Sequence, residues 1–424
     1  MTNPQRYDLY SDTFKANPYP TYATMREREP VCYHAGLGEN ERIWFVTSYS
    51  EAEQVLRDHK RFVKNYRNTR TAEELAQFPP LPRLAQLLDG HMLNKDGDDH
   101  LRLRNLVNKA FTTRMITAMQ TRVQGIADKL LDRVIDQGAM DLIDDYAFPL
   151  PIVVITELLG APADDRKRFR DWSDAFVVPA RTEAEWQHHE KLLHEFIDYL
   201  GTLFAERRRQ PQPDLITALL QAEEAGDRLS EEELYAMVVL LIVAGHETTV
   251  NLIGNGTLAL LRNPAQLAYL RAHPDAMGVA VEELLRYDGP VERATMRFAA
   301  EDTLLGGQQL RRGDAVAVVL AGANRDETHF AHANQLDLQR EDNRHLAFGY
   351  GIHYCVGAPL ARMEGRIALN TLLQRLPGLR LAAPVETLHW RFNPILRGMQ
   401  QLPVAWNKSA GGVVSLDNHE QTTQ

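Results

Sequence analysis

The stretch from Ser230 to Pro264 constrains the fold more than any other part of the chain. Ser230-Glu231-Glu232-Glu233 reads as a capping box, in which the Ser230 hydroxyl and the Glu233 carboxylate satisfy each other's backbone amides. Leu234, Met237, Val238, Leu241 and Ile242 follow at helical spacing, and Pro264 ends the pattern. A helix from Glu231 to Arg262 is roughly 48 Å long at 1.5 Å per residue, enough to cross a whole domain. Its first half is too apolar to lie anywhere but at the centre. The other elements must pack around it.

The middle of this helix breaks local rules. Ala244-Gly245-His246-Glu247-Thr248-Thr249 puts a glycine, a carboxylate and two β-branched hydroxyls into a buried helix. Glycine there costs about 1 kcal/mol relative to alanine. The Thr248 hydroxyl can bond back to the Ala244 carbonyl and bend the helix. The expected outcome is a local opening beside Gly245, with room for a small diatomic ligand and water. Such violations concentrate at functional sites. His246 is expected to be structural, because adjacent helical positions do not share a face.

Helical patterns dominate elsewhere, over Tyr19–Glu29, Tyr49–Asp58, His100–Phe111, Met115–Gln137, Asp164–Val177, Glu183–Arg208 and Pro213–Ala225. Trp44–Thr47, Met296–Ala300 and Ala315–Leu320 read as strands of a small sheet. The segment Arg61–Asp99, broken by Phe78-Pro79-Pro80-Leu81-Pro82, reads as a long irregular loop. With no repeat or linker, one mainly α domain over residues 1–406 is expected, followed by a polar tail at 407–424.

Composition excludes several classes. The only cysteines, Cys32 and Cys355, leave no disulfide framework and suit a reducing compartment. A formal charge of -10 argues against a nucleic-acid partner. The first residues, Met1 to Asp8, lack a signal pattern, and the apolar stretch Leu234–Gly245 is too short to span a bilayer. A cytoplasmic protein with no membrane attachment is expected.

The chemistry is concentrated in Phe348-Gly349-Tyr350-Gly351-Ile352-His353-Tyr354-Cys355-Val356-Gly357. Glycines let backbone approach a bulky group and adopt conformations closed to other residues. Pro359 marks the first turn of a helix that begins just after the cysteine. A thiolate there would gain from the helix dipole, which lowers its pKa and readies it to ligate a metal.

This run, F-x-x-G-x-x-x-C-x-G continuing into Ala358-Pro359-Leu360-Ala361-Arg362-Met363-Glu364, resembles the haem-ligand loop of the cytochrome P450 family, in its soluble bacterial form. The resemblance covers nearly the whole chain. It implies a mainly α fold with a minor β region, with haem b held between the long distal helix and the proximal cysteine loop. Cys355 would ligate the iron, with Phe348, Gly349 and Gly357 around it and Ala244 and Gly245 on the opposite face. Glu247 and Thr248, in the A-G-x-E-T match, would relay protons during dioxygen activation.

By the same resemblance, Glu283 and Arg286 of the E-x-x-R pair, with Arg340, would form a structural ionic cluster behind the haem. His100, Arg104, Arg297 and His353 would bind its propionates. Asp96-Gly97-Asp98-Asp99 departs from the family's proline-containing turn just before His100. The implied activity is insertion of one oxygen atom of O2 into a hydrophobic small molecule, by C–H hydroxylation or epoxidation. Pocket walls are implied at Leu240, Val243, Val291, Thr295 and Ile395, with Asn94, Arg181, Glu292 and Arg293 as polar contacts.

The chain has neither a flavin fingerprint nor an iron–sulfur cysteine cluster. A separate ferredoxin or flavodoxin is therefore implied as electron donor, docking on a basic patch of Arg102, Lys109, Arg344, Arg362 and Arg366. Two alternatives share the loop: a peroxide-driven peroxygenase, which would not need Glu247 and Thr248, and a non-catalytic haem sensor.

Overall fold

The computed structural model describes residues 7–36, 42–78, 82–162, 165–178, 180, 182–223 and 226–408. Its axis is the helix Glu231–Leu261. Ser230 and Glu233 form the reciprocal capping box, with bonds of 3.1 and 2.9 Å. Around this helix pack Arg83–Asp89, Pro149–Leu159, Met277–Asp288 and Ala358–Arg375. Length and composition alone would let the central helix cross a membrane, which the shorter Leu234–Gly245 stretch did not indicate. However, 72% of its most apolar window is buried inside the molecule. The core accounts for its hydropathy.

Most expected helices form within a few residues of their expected ends, including Tyr19–Arg28, Tyr49–Arg57, Thr113–Asp132 and Glu183–Arg209. The Arg61–Asp99 segment differs from expectation. It contains a short strand Phe62–Val63 and the short helices Ala72–Leu75 and Arg83–Asp89. Helices this short are stable through tertiary packing rather than propensity, so their sequence signal is weak. Residues 79–81, in the proline-rich break, lie outside the described residues, as do Arg181 and residues 409–424 of the expected tail.

The larger sheet has five strands in the order Val31–Ala35, Arg42–Val46, Ala315–Val318, Arg297–Ala299 and Phe62–Val63. Only the Arg42–Val46 and Ala315–Val318 pair is parallel. A three-stranded sheet joins Ala139–Asp141, Pro403–Ala405 and Arg380–Leu381. The larger sheet carries Arg297 to the edge of the site, and the central helix and the cysteine loop supply its two faces.

Candidate active site

The cysteine loop is built by backbone geometry. Gly349 and Gly351 have φ of 72° and 74°, the left-handed region that favours glycine. A Cβ on Gly351 would also lie 2.6 Å from the Leu56 carbonyl oxygen. These turns bring the Cys355 amide to 3.0 Å from the Phe348 carbonyl. Gly357 lies at φ -82°, so it needs no special conformation. It starts the helix Ala358–Arg375, and its backbone N–H and that of Ala358 point at the sulfur.

The expected fall in the Cys355 pKa does not occur. Burial pushes the thiol up, and the amides of Gly357 and Ala358 with the Arg104 charge offset this only in part. Helix-dipole reasoning reads the sequence without the burial. Phe348, close to Tyr354, lies under the Arg362 guanidinium, 4.4 Å from its ring centroid. Arg362 is held in turn by both oxygens of Glu282, at 2.7 and 2.8 Å.

Across from the loop, the central helix is α throughout, so the opening expected beside Gly245 does not interrupt it. Instead the Thr248 hydroxyl adds a bond to the Ala244 carbonyl at 2.8 Å. Ala244 is exposed in the middle of an otherwise buried helix, and Leu240, Val243, Gly245 and Thr248 are half-buried beside it. This face lines an open space. Glu247 is buried and bonded to Arg391 at 3.2 Å, with Asn251 at 3.5 Å. His246 is also buried, against Phe148 and 3.3 Å from the Ser173 hydroxyl. Burial lowers its pKa to about 4. Its Nε2 nevertheless comes within 3.7 Å of Glu247, so the neighbouring side chains are not fully separated.

The third wall is cationic. The His100 and His353 rings lie 4.2 Å apart between centroids, tilted by 54°, and Arg297 is buried nearby. Among the described residues, His100 Nε2, His353 Nε2, and Arg297 Nε and Nη1 have no hydrogen-bond partner. Buried donors left unpaired cost about 1–3 kcal/mol each, more when charged. A group with two carboxylates and a flat apolar body meets that need, so these residues fit haem.

The departure at Asp96 has a structural use. Its carboxylate accepts from the amides of Lys64 and Asn65, at 2.7 and 2.9 Å, and from the Asn68 side chain at 2.8 Å. It ties the turn before His100 to the sheet. Gly97, at φ 53°, starts the helix that carries His100 and Arg104.

Glu283 and Arg286 are fully buried, and Arg286 donates to Glu283 at 2.7 and 2.8 Å. Arg340 joins Glu283 at 3.1 Å. Arg286 also donates to the carbonyls of Asn324, Ala333 and Gln335. The sequence-predicted trio is one cluster.

Two expected groups behave differently. Glu292 and Arg293 do not line a pocket. Glu292 is held by Lys15 at 2.7 Å and Tyr22 at 2.6 Å, and Arg293 donates to Tyr22 and the Leu9 carbonyl. Val291 and Thr295 in the same segment are half-buried, and the Ile395 carbonyl is tied to it by the bond from the Glu292 amide. Asn94 is turned onto Asp89.

The basic patch is also reduced. Arg102 pairs with Glu233 and Asp227, Arg344 with Asp342 and Arg362 with Glu282. Lys109 donates to the Glu223 carbonyl at 2.8 Å, and Arg366 is exposed. Arg391, Asp174 and Lys64 were missed by sequence reading. Each lies far along the chain from its partners, in segments with no motif.

A thiol loop facing a helix with an acid–alcohol pair, with unpaired cations at the edge, defines a haem-thiolate site. The Cytochrome P450 family profile matches residues 170–276 and 276–377. A cytochrome P450 of Bacillus subtilis (strain 168) is 46% identical over 94% of this chain and 96% of its own. Cytochrome P450 monooxygenase PikC of Streptomyces venezuelae is 44% identical over 93% of this chain and 92% of its own. The structure of myxobacterial cytochrome P450 CYP267B1 in complex with myristic acid superposes with a TM-score of 0.88. It is 41% identical, covering 95% of this chain and 99% of that one.

The chain belongs to the cytochrome P450 family. It is a haem-dependent monooxygenase that inserts one oxygen atom of O2 into an organic substrate, drawing electrons from a redox partner.

Proposed function

We propose that Cys355 holds haem b and that Glu247 and Thr248 deliver the protons the reaction consumes. When bound, thiolate-ligated haem supplies the redox chemistry and favours O–O cleavage. The chain's own groups hold it and manage protons. The amides of Gly357 and Ala358 would steady the Cys355 sulfur, and Phe348 beneath Arg362 would keep water from it. Arg104, Arg297, His100 and His353 would take the propionates. The observation that carries this reading is the set of unpartnered buried donors on His100, His353 and Arg297.

Proton delivery rests on two neighbours in the helix. Thr248 donates to Ala244, which leaves its oxygen free to accept from a water in the open space. Glu247 is buried, yet its partner Arg391 keeps 20% of its side chain exposed. That arginine marks a route from solvent to the carboxylate. An intact acid–alcohol pair supports O2-driven turnover over the peroxide-driven alternative.

Leu240, Val243, Val291, Thr295 and Ile395 support a hydrophobic substrate, and the myristic acid in the similar structure points the same way. A ferredoxin or flavodoxin is the donor we propose, docking near Lys109 and Arg366 on the cysteine side. We place the protein in the cytoplasm, with residues 1–406 as one catalytic unit and 407–424 as a tail. The test is the absorption spectrum of the reduced protein with carbon monoxide. A strongly red-shifted Soret band is expected, and a band at the histidine-ligated position would end the Cys355 assignment. Thr248→Ala should then keep that spectrum while diverting electrons to hydrogen peroxide. Unchanged coupling would remove Thr248 from the relay.

A further inference from the structure

Lys64 is buried, at 5% exposure, in a segment with no functional motif. Its ammonium donates to the Thr295 hydroxyl at 2.6 Å and to the Met296 carbonyl at 2.7 Å. Both acceptors are neutral. The nearest carboxylate, Asp96, is occupied by the Lys64 and Asn65 amides and by Asn68. Among the described residues, Lys64, Arg104 and Arg297 form no ion pair. Lys64 is also close enough to Arg297 and His353 for its charge to lower their affinity for protons or its own.

Lys64 and Arg297 therefore share one carboxylate, Asp96, and the half-buried Arg104 has none, an excess of two positive charges. Burying unpaired charge is too costly for a fold to tolerate without an anion. Two carboxylates balance it.

We propose that Lys64 is a carboxylate-binding residue of the haem pocket, pairing with a propionate alongside Arg297. The Thr295 hydroxyl and the Met296 carbonyl aim the ammonium, and its remaining N–H is the donor. Burial and the Arg297 charge press the Lys64 pKa well below the ordinary lysine range, so the ammonium is stable there only opposite an anion. This proposal rests on Arg297 being a propionate ligand. A carboxylate could also come from a fatty-acid substrate, because Thr295 borders the proposed pocket.

The test measures haem loss from substrate-free holoenzyme to excess apomyoglobin, together with the haem midpoint potential. Lys64→Gln keeps a hydrogen-bond donor without the charge, Lys64→Met removes both, and Lys64→Arg keeps the charge. Arg297→Met serves as the reference. Lys64→Gln and Lys64→Met should each lose haem at least about tenfold faster, the worth of one charge-assisted hydrogen bond. Their potentials should move negative, with Lys64→Arg close to the native protein.

Native haem retention in Lys64→Gln with loss only in Lys64→Met would overturn the proposal and leave Lys64 as a brace for the Thr295–Met296 turn. Native retention in both, with weaker binding of laurate but not of lauryl alcohol, would overturn it in favour of a substrate carboxylate. If Arg297→Met also keeps its haem, the propionate assignment itself fails.

Discussion

The Arg391 guanidinium lies 3.2 Å from the Glu247 carboxylate, joining the middle of the central helix to a loop 144 residues away. Asp174 lies close to the same arginine, and burial together with the Glu247 charge raises its pKa despite the arginine's opposing pull. One cation thus serves two acids on the distal side of the site. It is the sole strong partner of the buried Glu247 among the described residues, and it reaches solvent.

If Glu247 passes protons along this route, the two residues act in series. Glu247→Gln should cut product formation at least about tenfold while leaving the haem spectrum intact. Arg391→Gln should cut it less. The double variant should be no worse than Glu247→Gln alone, because residues that work as a unit are not additive. Steady-state turnover of the four proteins measures this. Full multiplication of the two defects would show separate roles.

The cluster behind the haem gives a stability prediction. Arg286 makes two bonds to Glu283 and three to carbonyls in the segment before the cysteine loop, all from a fully buried position. Removing it as Arg286→Met leaves the buried Glu283 with Arg340 as its one remaining cation and leaves three carbonyls without their donor, at a cost of about 3–5 kcal/mol. Arg286→Lys should not rescue it, since an ammonium cannot span that fork of donors. The expected result is little haem-loaded protein from either variant, read from the haem-to-protein absorbance ratio. Native yield from Arg286→Lys would mean that charge alone holds the segment.

What could be read in advance was what is local. The central helix announced both its ends within the chain around Ser230 and Pro264, and the cysteine loop carried its glycines, phenylalanine and proline within a dozen or so positions. The E-x-x-R pair is one helical turn. Arg391, Asp174 and Lys64 were invisible because nothing beside them in sequence marks them, and their roles exist only through long-range contacts. Glu292 and Arg293 do not line the pocket because the N-terminal Lys15 and Tyr22 claim them from hundreds of residues away, where no local pattern could show it. The Cys355 thiol shows the same limit in energetic form: the helix N-terminus is legible in sequence, but the burial that outweighs it is not.

Burial also governs Glu364, about two turns beyond the cysteine loop in the helix Ala358–Arg375. The side chain is 1% exposed, and its Oε2 has no hydrogen-bond partner among the described residues. Desolvation raises its pKa from the ordinary 4.5 to about 8. Below about pH 4.5 the group is neutral in both folded and unfolded chains and costs nothing. Between there and pH 8 the folded protein keeps a proton that the unfolded chain has released, so stability falls as pH rises, by about 1.4 kcal/mol per pH unit at most. Glu364→Gln removes that dependence. The variant should match the native protein near pH 5 and exceed it by a few kcal/mol near pH 8, measured by urea unfolding of both holoproteins across that range. Parallel pH profiles for the two would mean that Glu364 is ionised and paired in the folded state, with a partner that only solution conditions reveal.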